Sequence, residues 1–197
     1  MSQMNEEISG FKRFLKSFWG EVLQIAIIAV VIVVPFRMYI AQPFLVSGPS
    51  MDNTFADGQY LIVDELTYET RAPQRGEVVI FKYPLDTKKY FIKRIIGLPG
   101  ETVDVKNGIV TITNPANPKG LVLTEAYVKA NGDNPARPDA HMILGADEYC
   151  VLGDNRAVSS DSRIWGSVKR DLITGRPFLR LFPLSEIGLF PGQIEEK

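Results

Sequence analysis

The chain has 197 residues, 45% of them hydrophobic, enough for one moderate domain with its own core and a further apolar segment. Its formal net charge of -1 provides no global field that would draw nucleic acid. One cysteine, Cys150, and one histidine, His141, exclude an intrachain disulfide and a Cys/His zinc site, so no metal or cofactor is expected.

The first expected element is a membrane-crossing helix over residues 21–41. Val22 to Phe36 is apolar apart from Gln24, and the run continues past Arg37 through Met38, Tyr39, Ile40 and Ala41. Twenty helical residues rise about 30 Å, enough to cross the hydrocarbon core of a bilayer. Glu21 and Arg37 then fall near the two interfaces, and Trp19 and Tyr39 suit the aromatic belts. Lys12, Arg13 and Lys16 precede the run, and no lysine or arginine follows between Met38 and Thr70. This asymmetry predicts that residues 1–20 are cytoplasmic and residues 42–197 lie on the outer side. A cleaved leader fits less well, because a cut after Ala41 would have bulky Tyr39 close before it. A buried soluble helix fits less well because the run has no polar face. Phe11, Phe14, Leu15 and Phe18 make the preceding stretch amphipathic, suited to lie along the inner interface.

Beyond residue 42 the pattern changes to short β runs: Gln59 to Leu66, Glu77 to Tyr83, Lys89 to Ile96 and Glu101 to Lys106. Asn107-Gly108 separates the last of these from Ile109 to Thr113, which predicts a tight hairpin. Asn114 to Ala140, with many Pro, Asn and Gly, reads as loops around one short strand near Leu121 to Val128. Further strands are expected at Glu148 to Leu152, Gly166 to Thr174 and Pro177 to Phe182, with a frayed tail from Gln193. The fold class is mainly β: an antiparallel, coiled-sheet domain with one N-terminal transmembrane helix.

The chemistry starts from Ser50, in Ser47-Gly48-Pro49-Ser50-Met51. His141 lies in a polar, Pro-rich stretch and reads as a surface histidine, so a serine nucleophile needs another base. A lysine serves if burial or neighbouring positive charge lowers its pKa from about 10.4. Lys93 is the candidate, in Tyr90-Phe91-Ile92-Lys93-Arg94-Ile95-Ile96, where strand alternation puts Phe91, Lys93 and Ile95 on one face. Taken singly, both residues have plainer readings: a serine beside Gly-Pro is commonly a turn serine, and strand lysines commonly reach solvent. Gly48 and Pro49 add an unusual backbone that leaves amides free to face an oxyanion. A third cluster, Gly153 to Arg163, packs two Asp, two Arg, three Ser and one Asn directly after a strand. It is either a solvated loop or a hydrogen-bonded frame for a buried lysine, with Ser159 at the amine and Asp161 paired to Arg163.

Together these segments resemble the type I signal peptidases, membrane-bound enzymes that remove the signal peptides of exported proteins. Ser50-Met51-Asp52-Asn53-Thr54 resembles the family's nucleophile box, and Arg75 to Phe81 its cleft-lining strand. Lys93 to Glu101 resembles the general-base box, and Gly153 to Arg163 the last box; all four occur in the family order. The resemblance implies that Ser50 is the nucleophile, with its own N–H in the oxyanion hole, and that Lys93 is the general base. It further implies that Ser159 orients the amine, that Asp161 and Arg163 support the site, and that Met51 packs beside the pair. Phe44, Val46, Ile80, Phe91 and Ile92 would line shallow pockets for small residues at -1 and -3 of a substrate bound as an added strand. The implied partners are signal peptides and membrane lipid, not nucleic acid. The implied setting is a bacterial-type cell membrane near the export machinery, with the enzyme working as a monomer.

Three residues depart from the family pattern. Asn53 stands where proline is usual, Gly48 where some members carry a serine that completes the oxyanion hole, and Val158 where asparagine is common. Two other classes share part of this pattern. A self-cleaving repressor of the SOS type shares the Ser/Lys logic but would carry a helix-turn-helix domain in place of the apolar run. A catalytically inactive anchored binding protein of the same fold would lose Ser50 or Lys93, and both are present.

Overall fold

In the computed structural model, which describes residues 18–31, 42–128 and 138–194, the chain divides into two units, Met1–Ala41 and Gln42–Lys197. In the first, residues 18–31 form helix α1, which exposes Leu23, Ile25, Val30 and Val31. Among the described residues no helix is long and apolar enough to cross a membrane. Residues 1–17 and 32–41, on which most of the amphipathic stretch and the second half of the expected anchor fall, lie outside the described residues. So do residues 129–137 of the expected loop region and residues 195–197 of the expected frayed tail.

The second unit is mainly β, as the alternating pattern predicts, and every strand pair is antiparallel. The larger sheet uses β1 (Gln42–Leu45), β2 (Tyr60–Asp64), β3 (Val78–Tyr83), β4 (Asp86–Gly97), β9 (Glu148–Leu152), β10 (Val168–Lys169) and β11 (Ile173–Phe182). Its strand order is β1-β2-β11-β3-β4-β9-β10, with β12 (Gly188–Leu189) added to β11. The smaller sheet has the order β7-β6-β5-β8, from β5 (Thr102–Lys106), β6 (Ile109–Asn114), β7 (Asn117–Val122) and β8 (Ala140–Ile143). Two short helices, α2 (Thr67–Thr70) and α3 (Ser162–Trp165), interrupt the strands.

The predicted Asn107-Gly108 hairpin joins β5 to β6, with Lys106 paired to Ile109 and φ of 51° and 80° at the two turn residues. Those angles match the twist of the strands it connects. Alternation then places Val103, Val105, Val110 and Ile112 inward, in a core shared with Ile96, Leu144, Cys150 and Leu152. A second core gathers Val79, Phe81, Ile95, Tyr149, Val151, Val168 and Ile173. A third, smaller core of Val46, Met51, Phe55, Leu61 and Val78 lies beneath the turn that carries Ser50.

Two strand expectations are corrected. The strand expected near Leu121 to Val128 is Asn117–Val122 instead. Asn114 Oδ1 accepts from the Asn117 N–H (2.8 Å) and nucleates a turn, so β7 pairs with β6 although it contains Pro118 and Gly120. The strands expected at Gly166 to Thr174 and Pro177 to Phe182 are differently divided. Residues 168–169 form the short β10, a 3-10 turn covers Arg170–Leu172, and one strand runs through Ile173–Phe182. Pro177 is accommodated inside that strand because the ladder with β2 slips immediately after it, between Pro177 and Leu179.

Candidate active site

Three segments converge at one end of the larger sheet: the turn after β1, the middle of β4, and the loop between β9 and α3. Ser50 and Lys93 are separated by 43 positions in sequence, yet Ser50 Oγ lies 2.7 Å from Lys93 Nζ. Lys93 is 4% exposed, its amine donates to the Ile92 carbonyl (2.8 Å), and Nζ lies 5.4 Å from the centre of the Phe91 ring. Burial pushes its pKa down to about 8, while the negative charges of Asp161 and Asp154 push the other way.

The Ser50 turn is held from several sides. Met51 and Phe55 are wholly buried beneath it. Asn155 grips it from above: its N–H donates to the Ser50 carbonyl (3.1 Å) and its Nδ2 to the Pro49 carbonyl (3.0 Å). Gly153 allows that approach, since a methyl group there would come within 2.5 Å of the Ser50 carbonyl oxygen and would collide with Ser159. The Ser50 N–H has no backbone acceptor among the described residues.

The polar loop after β9 is largely buried, with only Val158 and Ser160 exposed. Burial works against ionisation of Asp161, but the Arg163 guanidinium, with two bonds of 2.8 Å, holds its carboxyl below the usual range, helped by the Gly153 N–H (3.1 Å). Arg163 also donates to the Arg156 carbonyl (2.9 Å). Ser159 is wholly buried beside Gly153; among the described residues its hydroxyl has no partner in hydrogen-bond geometry, the Lys93 amine included, though it lies near enough to Asp161 to favour that carboxylate.

A second buried pair, Arg94 with Asp154, lies on the opposite face of β4 from Lys93. Nε and Nη2 bind the two carboxylate oxygens at 2.9 and 2.6 Å, and Nη1 donates to the Gly76 and Gly192 carbonyls, both at 2.7 Å. Thr54, in the Ser50 turn, donates its hydroxyl to the same carboxylate (2.5 Å).

An open cleft of about 560 Å³ runs from Ser50 and Lys93 between β1 and β4. Phe44, Val46, Ile80, Phe91 and Ile92 all line it, together with Leu61, Tyr90, Val158 and Ser160. Both flanking backbones are free edges among the described residues. β1 ends the larger sheet, and β4 has β9 as a second neighbour only from Arg94 onward. The rings of Phe44 and Tyr90 meet edge to face across the gap, 5.2 Å between centres.

The family model described as "Signal peptidase, peptidase S26" matches residues 19–182. This chain belongs to the type I signal peptidases. It is 36% identical over 185 residues to a probable signal peptidase I of Synechocystis, covering 91% of this chain and 80% of that one. Signal peptidase IB of Staphylococcus aureus is 33% identical over 172 residues, covering 81% of this chain and 88% of its own. A crystal structure of a signal peptidase I from Enterococcus faecalis, 30% identical, covers 54% of this chain and 97% of its own, with a TM-score of 0.45. The enzyme is a hydrolase of the serine peptidase class.

The three departures from the signal peptidase pattern acquire definite surroundings. The Gly48 N–H is engaged by Asp57 Oδ1 (2.7 Å), with φ at 85°, so that amide is not open to a substrate. Asn53 has φ of 93°, which a proline ring cannot adopt. Val158 is exposed and lines the cleft. The sequence reading missed Arg94, Asn155, Thr54 and Tyr90 as parts of the site. For Arg94 a signal existed, a second charge inside the same apolar run as Lys93; for Tyr90 nothing local marks it.

Because one partner of a buried pair left alone is costly, Asp154→Ala should destabilise the enzyme by about 3–5 kcal/mol. Urea unfolding checks this, and a loss below about 1 kcal/mol would show that the pair is replaceable.

Proposed function

We propose that this signal peptidase removes N-terminal signal peptides from exported preproteins, with Ser50 as nucleophile and neutral Lys93 as general base. The observation that carries the reading is the 2.7 Å approach of Ser50 Oγ to a lysine amine that is almost wholly buried. Neutral Lys93 takes the Ser50 proton as Oγ attacks the scissile carbonyl, then passes it to the departing amine. Neutral Lys93 next takes a proton from the water that attacks the acyl carbonyl, and returns it to Ser50 Oγ as the acyl group leaves. The Ser50 N–H, which has no backbone acceptor among the described residues, stabilises the oxyanion, and Asn155 fixes the peptide unit that follows it. Arg163 holds Asp161, and Ser159 lies buried against Gly153, so the frame behind the amine is enclosed.

The substrate binds in extended form between the free edges of β1 and β4, each of which offers unpaired backbone groups. Alternate residues of a strand lie about 6.6 Å apart on one side, the spacing of Ile92 and Tyr90 on β4. Side chains at -1 and -3 therefore descend beside Ile92 and Tyr90 into a floor of Val46, Leu61 and Ile80. Tyr90 against Phe44 closes the outer pocket and restricts it to small groups.

Residues 21–41 anchor the enzyme, with the peptidase domain on the outer face of a bacterial-type membrane, near the export machinery and active as a monomer. The apolar run and the basic residues before it support this, as does α1, a helix with apolar side chains exposed all along it.

Ser50→Ala and Lys93→Ala should each abolish preprotein cleavage without loss of the β fold by circular dichroism; activity in purified Ser50→Ala would sink the assignment. Lys93→Met should be equally inactive yet melt at higher temperature, because it removes a buried amine.

The pH dependence follows from the lowered Lys93 pKa. The neutral form is scarce below about 8, so kcat/KM should fall roughly tenfold per pH unit on the acid side and level off above. A flat profile from pH 5 to 9 would exclude a lysine base.

Tyr90→Ala should raise cleavage of a peptide with Leu at -3, relative to Ala at -3, by about tenfold. An unchanged ratio would remove Tyr90 from the pocket wall.

A further inference from the structure

Asn53 is the residue of the nucleophile turn that sequence reasoning leaves without a role. Its φ of 93° is strained for any side chain but tolerated best by asparagine. Its Nδ2 donates to the Tyr127 carbonyl (3.2 Å), across 74 positions of sequence. Tyr127 is itself fixed from two directions. Its ring packs under the Arg94 guanidinium, 4.1 Å from the ring centre, and its hydroxyl donates to Glu125 (2.8 Å). Glu125 receives Arg156 (3.1 Å), whose Nε holds the Gly153 carbonyl (3.0 Å). The segment Leu123–Val128 is thus bound to both sides of the site: to β4 through Arg94 and to the polar frame through Arg156.

We propose that Asn53 is a positioning residue for the nucleophile, tying the Ser50 turn to this segment; the inference rests on Ser50 being that nucleophile. The turn is short and its geometry is coupled. The Met51 carbonyl accepts from both the Thr54 N–H (3.0 Å) and the Phe55 N–H (2.8 Å), and the Thr54 hydroxyl reaches Asp154 (2.5 Å). The positive φ at Asn53 turns the chain so that all three bonds form together. The tether to Tyr127 holds that φ from outside the turn. Without it the turn has freedom to rotate Ser50 Oγ away from Lys93 Nζ, while Met51 and Phe55 keep it packed. The proline usual in the family cannot adopt this angle and leaves no side-chain donor for Tyr127, so this chain secures the turn by a different device.

The test compares Asn53→Gly and Asn53→Asp in the full-length enzyme. Glycine accepts the angle without strain and removes the tether. Aspartate tolerates the angle, but its carboxylate has no proton to donate to the Tyr127 carbonyl. Steady-state cleavage of a preprotein is measured per active site, titrated with a serine-acylating reagent whose signal is absent in Ser50→Ala. Both variants should lose about tenfold or more in kcat per titrated site, with KM unchanged and the acylation rate falling by the same factor. Wild-type kcat in Asn53→Gly would overturn the proposal. So would a loss in glycine but not in aspartate, or a lowered melting temperature with kcat per titrated site unchanged. Cleavage by Ser50→Ala would instead overturn the reading beneath it.

Discussion

Water is kept away from the Lys93 amine, and the arrangement of the surrounding charges follows from that exclusion. An amine in a β-strand ordinarily carries its charge out to solvent on a flexible stem. Here the side chain is buried beside Phe91, Ser50 and Val158, so the charged form loses hydration that the bonds to the Ile92 carbonyl and Ser50 Oγ replace only in part. Two carboxylates nonetheless stand close enough to favour the charged form. Each is committed to an arginine: Asp161 to Arg163 and Asp154 to Arg94, all four side chains being almost fully buried. Pairing a carboxylate with a guanidinium leaves a dipole in place of a net charge, and a dipole acts on the amine more weakly and over a shorter range. The arginines therefore let a dense polar frame coexist with an amine whose pKa is depressed.

The same frame positions the serine. Arg94 and Lys93 are adjacent on β4 and point to opposite faces, so one strand carries both the amine and the ion pair that braces the Ser50 turn through Thr54. Asn155, next to Asp154, reaches the turn from the other side. A shift of β4 by one residue would exchange the two faces and dissolve both arrangements at once. Long pairing with β3, from Val78 against Arg94 to Lys82 against Tyr90, holds that register.

The cleft depends on pairing that is absent. A strand edge with free backbone groups is a hazard for aggregation, and proteins usually cover it. Among the described residues this enzyme has two such edges facing one groove, at β1 and at the first half of β4. The Phe44–Tyr90 contact spans the groove with side chains where no backbone ladder does. Unpaired backbone groups at such an edge can take an added strand of varied sequence, because ladder bonds do not read side chains.

Local chemistry was legible in the residues themselves. Asn107-Gly108 specifies its turn because both residues accept positive φ, and the flanking alternation needs no distant partner to be read. The density of Asp, Arg and Ser after β9 left a solvated loop and a buried frame both open, and the apolar neighbours of Lys93 made it a candidate for burial that the fold then decided. Strand limits that depend on a partner were not legible: Asn117–Val122 exists because β6 lies beside it, and Pro177 is tolerated because β2 slips past it. Contacts between distant segments were likewise decided only by the fold. Asp154 stands 60 positions from Arg94, and Tyr127 stands 74 from Asn53. Sequence determined that a serine, a lysine and a polar frame were present in a signal peptidase, because side-chain chemistry and short-range backbone preference travel with the residue. Tertiary structure decided that they meet at hydrogen-bond distance, because burial and approach are properties of the whole packed chain and of no single segment.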